Sequence, residues 1–155
     1  MTTQSKSESQ TYLTFCIQGE HYAIAVTQVT EVLPMMWINR VPEAPSFLEG
    51  TLYLRGELLP VIDLTKRLKL ARQSYKQNTR LVVVTLPQRK VGVIIDQVEG
   101  LQEIRAQHHQ KGILHPEHAP LVGEVFFYKS SPFQILQLEH LLTSQEEKQL
   151  AEIPT

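Results

Sequence analysis

Short apolar runs separated by polar or glycine-bearing breaks recur along most of this chain. Leu13, Phe15 and Ile17 alternate with Thr14 and Cys16, and Gly19 marks a turn into Tyr22-Ala23-Ile24-Ala25-Val26, which predicts a hairpin. Leu52 and Leu54 alternate with Thr51 and Tyr53; after Arg55-Gly56 the run from Leu58 to Ile62 resumes until Asp63, predicting a second hairpin with a cation at its turn. Gly56 supplies backbone freedom there, and Pro60, which has no amide donor, predicts an edge strand or a bulge. Leu81 to Leu86 and Val91 to Ile95 flank the turn Pro87-Gln88-Arg89 as almost continuous apolar runs, so both faces of that hairpin should be covered. Leu121 to Tyr128 and Phe133 to Leu138 again have strand character.

Helical signals are fewer. Val26, Val29 and Leu33 stand at i, i+3 and i+7 and predict a short helix or helical turn ending at Pro34, with Glu31 projecting from it. The stretch from Met35 to Gly50, with Pro42 and Pro45, reads as an irregular connector. Leu64 to Leu70 reads as a short amphipathic turn, residues 102–120 as a polar region, and Glu139 to Ala151 as a closing helix with Leu141, Leu142 and Leu150 available to pack. Many short strands and little helix predict a mainly β chain forming small barrels or a sandwich. A polar break near residues 71–78 separates two hairpin-rich halves. Residues 11–151 then form one domain of two barrel subdomains, between a disordered tail at 1–10 and a short tail at 152–155.

Composition removes several classes of function. With 155 residues, 42% hydrophobic, the chain can bury a core, and a net charge of −1 draws it to neither nucleic acid nor an anionic membrane. Arg80, Arg89, Lys90 and Arg105 are scattered among aliphatic strands without interleaved aromatics, which speaks against a single-strand nucleic-acid barrel. The one cysteine, Cys16, excludes an internal disulfide and a Cys-based zinc site, and fits a reducing compartment. No run is long enough to span a bilayer, so the expected location is cytoplasmic. No nucleophile and base are announced and no phosphate loop is present; Asp63 and Asp96 read as strand-end caps, so no enzyme and no cofactor are expected. His108-His109 and His115-Pro-Glu-His118 supply donors enough for zinc, nickel or copper if their loop folds inward, but Pro116 opposes a helix there, and the expected reading is a solvated loop without metal.

Three stretches carry a family resemblance: YLTFCIQGEHYAIAVTQVTEVL, VPEAPSFLEGTLYLRGELLPVIDLTKRLKL and TRLVVVTLPQRKVGVIIDQVEGLQEI. Their order, over residues 12 to about 104, resembles the CheW family of chemotaxis coupling proteins, and FQILQLEHLL is similar to the family's closing strand and helix. The resemblance implies two five-stranded, SH3-like barrels and a non-catalytic signalling adaptor. Such an adaptor is cytoplasmic, is recruited to membrane receptor arrays, and binds both the regulatory domain of a CheA-type histidine kinase and the cytoplasmic tip of a methyl-accepting chemoreceptor. The output is chemotaxis, twitching or phototaxis, since PilI-like and PixI-like proteins share the pattern. Arg55, followed by Gly56, matches the family's RG arginine, and Glu31 its acidic partner; the implied pair is buried or half-buried, with a value in specificity. Val29, Val32, Leu54 and Leu81 are the candidate apolar receptor contacts, with plain core packing as the alternative for each. Met35, Met36, Trp37 and Ile38 are the candidate kinase-docking loop, the alternative being a loop folded over its own barrel. A different class of function stays open: a small-barrel binding module for a metal, through residues His108 to His118, or for nucleic acid.

Overall fold

The computed structural model describes residues 9–71, 74–105, 108–111 and 114–153; most of the expected N-terminal tail, residues 1–8, lies outside them. The elements run β1 (Ser9–Ile17), β2 (Glu20–Ala25), β3 (Val29–Pro34), β4 (Leu48–Leu54), β5 (Glu57–Asp63), α1 (Leu64–Arg67), β6 (Arg80–Thr85), β7 (Lys90–Ile95), β8 (Gln97–Arg105), β9 (His109–Lys111), β10 (Val122–Tyr128), β11 (Ser131–Leu136) and α2 (Ser144–Ala151). They build two mixed sheets, a six-stranded one ordered β8-β1-β2-β11-β10-β9 and a five-stranded one ordered β3-β6-β7-β5-β4. The mainly β architecture with a C-terminal helix matches the expectation; the sixth strand, β9, is an addition to it.

Three hairpins close through two-residue turns in which both residues are left-handed: Gln18-Gly19 (φ 50° and 84°), Arg55-Gly56 (47° and 83°) and Lys129-Ser130 (52° and 67°). Such turns twist in the same sense as the strands they join. The break near 71–78 does not divide the sheets, because β5 and β6 on either side of it belong to the same one. It divides a repeat. β1, β2 and β8, β10, β11 stand in the first sheet in the same order and directions as β6, β7 and β3, β4, β5 in the second. Even the irregularities recur. The bulge between Leu48 and Gly50 opposite Ile62 and Val61 answers to one between Val122 and Glu124 opposite Leu136 and Ile135, and the bulge between Val29 and Glu31 answers to one between Val98 and Gly100. Each half of the chain thus places two strands in one sheet and three equivalent ones in the other, the second half adding β9. Under this correspondence Arg55 answers to Lys129, Glu31 to Gly100, and Leu64 to Leu138.

The largest apolar cluster takes residues from both sheets, among them Phe15, Ile17 and Tyr22 from the first and Ile62, Val82 and Ile95 from the second, capped by Leu64, Leu138, Leu141 and Leu150. A smaller cluster around Tyr12, Phe126 and Phe133 belongs to the first sheet alone, and one of Leu52, Val61, Leu81 and Ile94 to the second alone.

Four local expectations need correction. Residues 26–28 form a single 3-10 turn, and Val29–Pro34 is a strand, since Val29, Thr30 and Val32 are β-branched and β6 offers a ladder. Pro60 does not put β5 at an edge; β5 is interior, but its ladder to β7 begins at Val61, just past the missing donor. The region from 102 begins inside β8, whose inward positions Val98, Gly100, Gln102 and Ile104 are half polar or bare while Leu101 points outward, so hydrophobic alternation does not reveal it. The closing helix starts at Ser144, where Thr143 and Glu146 form a capping box, after a 3-10 turn at Leu138–His140. Leu141, Leu142 and Leu150 are buried as expected, and Asp63 caps α1 by accepting the Thr65 amide at 3.0 Å.

Arg67 on α1 holds α2 through two hydrogen bonds to Glu146, of 2.8 and 2.5 Å. Burial alone would raise the Glu146 carboxyl, but the Arg67 guanidinium and the Thr143 amide outweigh it and the carboxyl is lowered from its ordinary 4.5. A carboxyl lowered on folding stabilises the fold above its ordinary value, and the contribution fades as pH falls through the lowered one. Arg67→Ala should therefore cost about 1–3 kcal/mol at pH 7, and urea denaturation should show the gap to wild type closing below pH 4.5. A second expectation concerns Gly50, where an added Cβ would lie 2.4 Å from the Asn39 carbonyl oxygen. Gly50→Ala should cost about 1–3 kcal/mol by denaturant titration. Gly123→Ala should cost less, because the obstacle there is the movable Gln137 side-chain amide.

Candidate functional site

Glu31 on β3 and Arg55 at the β4–β5 turn meet as a bidentate pair: Nη2 donates to Oε1 at 3.0 Å, and Nη1 donates to Oε2. The Arg55 side chain is 68% exposed and that of Glu31 23%, so the carboxylate is half-buried while the guanidinium lies open at the surface, where a buried or half-buried pair was expected. The reason is topological. β3 and β4 are the two edges of the second sheet, and a side chain carried on the hairpin tip reaches across them from outside. The hydrogen bond from Arg55, with its charge and that of Lys90, holds the Glu31 carboxyl below the usual range, and Glu31 in turn raises Arg55. Lys90 also stands 3.7 Å from Glu57, extending the charged surface.

The apolar candidates divide. Val32 is 39% exposed, and Leu54 is partly exposed over the small cluster of the second sheet. Val29 is partly buried against the large shared cluster. Leu81 is fully buried, so it supports the site from beneath and is not a surface contact. Gly56 completes the turn. Tyr53, 66% exposed beside Leu54, was not singled out from the sequence; its place on a strand already read as half buried was the available signal.

Of the four candidate docking residues, Met35 and Ile38 pack against the second sheet's own cluster, whereas Met36 is exposed and Trp37 is 83% exposed. Together with Arg40, Glu49 and Tyr75 they line a groove of about 450 Å³. Its buried Glu49 accepts from Lys66 Nζ at 2.9 Å and from the Tyr75 hydroxyl at 3.2 Å. The loop thus does both things the sequence left open: its outer residues, Met35 and Ile38, fold back and the two between them project.

Other candidate chemistry is taken up internally. Arg89 pairs with Glu147 at 3.0 Å, and Arg80 donates to the carbonyls of Gln77 and Thr79, so these cations form no nucleic-acid track. His109 lies 3.3 Å from Glu124 and His115 2.8 Å from Glu20. His118 is buried, contrary to a wholly solvated loop, with Nε2 donating to the Leu68 carbonyl at 3.1 Å. Among the described residues no three His, Cys, Asp or Glu side chains are grouped to hold a metal ion. No described helix is long and apolar enough to cross a membrane.

Comparison with known proteins bears on the family and the fold. The chain is 35% identical over 144 residues to the chemotaxis protein CheW of Klebsiella aerogenes, covering 88% of this chain and 84% of that one. It is 32% identical over 104 residues to the protein FrzA of Myxococcus xanthus, covering 67% and 64%. The crystal structure of the scaffolding protein TtCheW from Thermoanaerobacter tengcongensis aligns with a TM-score of 0.83 and 25% identity, over 90% of this chain and 97% of that one. Residues 11–146 match the CheW-like domain, and the chain belongs to the CheW family.

Proposed function

We propose that this protein is a cytoplasmic, non-catalytic adaptor that couples a methyl-accepting chemoreceptor to a CheA-type histidine kinase. The observation that carries the reading is the exposed Arg55–Glu31 pair. An ion pair at the surface contributes little to folding, but a fixed guanidinium fork beside partly exposed Val32 and Leu54 is suited to geometric recognition of a partner. Family membership supports the adaptor role, and the resemblance to FrzA of Myxococcus xanthus leaves the motility system served by this chain open. Met36 and Trp37 are the kinase anchors in this reading, because projecting Met and Trp side chains give adaptable contact area without a charge to desolvate.

Arg55→Ala and Glu31→Lys should each leave the free protein folded, with the thermal midpoint lowered by no more than a few degrees, while abolishing co-sedimentation with receptor-bearing membranes. Normal co-sedimentation of both variants would remove the receptor assignment. Trp37→Ala should weaken binding to the kinase regulatory domain about tenfold or more in calorimetry, from a wild-type affinity near micromolar, roughly −8 kcal/mol. Unchanged kinase binding by that variant would move the docking surface elsewhere.

A further inference from the structure

The two edges of the second sheet, β3 and β4, face each other without a continuous ladder. At one end of the gap Arg55 grips Glu31. Along its middle Leu33, Leu54, Met35 and Ile38, none of them fully buried, pack on the cluster of Leu52, Val61, Leu81 and Ile94. At the other end Asn39 and Thr51 exchange two backbone hydrogen bonds of 2.8 Å each, an isolated bridge that the missing side chain of Gly50 permits. The corresponding gap in the first sheet is closed differently. There β9 pairs with β10 at three positions, and Gly100 and Lys129 stand where Glu31 and Arg55 would be.

We propose that the β3–β4 seam is a conformational link between the ion pair and the Met35–Ile38 loop. A partner carboxylate that draws Arg55 away from Glu31 loosens the seam and repositions Met36 and Trp37. Three observations on the molecule support this. The closure is an exposed ion pair plus a single bridge, so local opening lies at the low end of the molecule's stability range. The apolar residues between the two ends form a row packed on one shared cluster, the kind of element through which coupling passes. Met35 and Ile38, which bracket Met36 and Trp37 in sequence, belong to that row, so the projecting side chains cannot keep their places if the row parts. A partner can shift the seam only by as much as it prefers one arrangement over the other, and competition for a bidentate guanidinium supplies such a preference. The partners at the two ends rest on the function proposed above; the seam itself does not.

The test uses the purified protein alone. In Arg55→Ala, amide hydrogen exchange at Asn39 and Thr51 should be about tenfold faster than in wild type, with Val82 and Val93 in β6 and β7 unchanged. Coupling is reciprocal. In Gly50→Ala, which presses on the far end, the Glu31 carboxyl should titrate closer to the ordinary 4.5 by NMR. Wild-type exchange at Asn39 and Thr51 in Arg55→Ala, or an unmoved Glu31 titration in a folded Gly50→Ala protein, overturns the proposal. Loss of receptor binding in Arg55→Ala with unchanged exchange would keep the adaptor reading and reject the link.

Discussion

Everything in this molecule hangs on the apolar cluster that its two sheets share. Each half of the chain gives strands to both sheets, β1 and β2 to the first and β6 and β7 to the second with the rest crossing over, so neither sheet can form from one half alone. The cluster between the sheets is therefore also where the two halves are fastened, with Leu64 and Leu138 fully or almost fully buried at equivalent places just after β5 and β11. Long-range pairing of this kind is costly to assemble, because chain closure comes before the contacts that reward it. The hairpins with two-residue turns supply the local pieces from which it starts.

Much of this was legible in the residues. Strands with one clean apolar face, such as β1 and β4, and the doubly covered β6–β7 hairpin announced themselves by period, and the Arg55-Gly56 turn by its interruption of an apolar run. What the sequence hid has a common cause: neighbours that are distant along the chain. The pattern over Val26 to Leu33 fits a helical period, yet β6 makes Val29–Pro34 a strand. β8 carries Gly100 and Gln102 at its partly buried positions and Leu101 at an exposed one, and no local rule anticipates that. The position of Arg55 was evident, but its exposure was not, because exposure depends on which strands become sheet edges.

The charged groups separate into two kinds of work. Arg67 and Glu146, both mostly covered, tie α1 to α2 and belong to the fold. Arg55 and Glu31, mostly open on the arginine side, contribute little to it and are free to serve recognition. The same division runs through the loop after β3, where Met35 and Ile38 anchor and Met36 and Trp37 reach out. In both places the projecting side chains stand next to, and are held by, residues that do the packing.

The repeat has one further consequence. A molecule made of two equivalent halves could in principle be taken hold of either way round, and an assembly that used such a part would have no means of setting direction. Here Glu31 and Arg55 have Gly100 and Lys129 as their counterparts, and Lys129 lies over the Tyr128 ring. The two ends share a backbone plan and differ in chemistry. The protein consequently has a head and a tail, and its two ends cannot be exchanged.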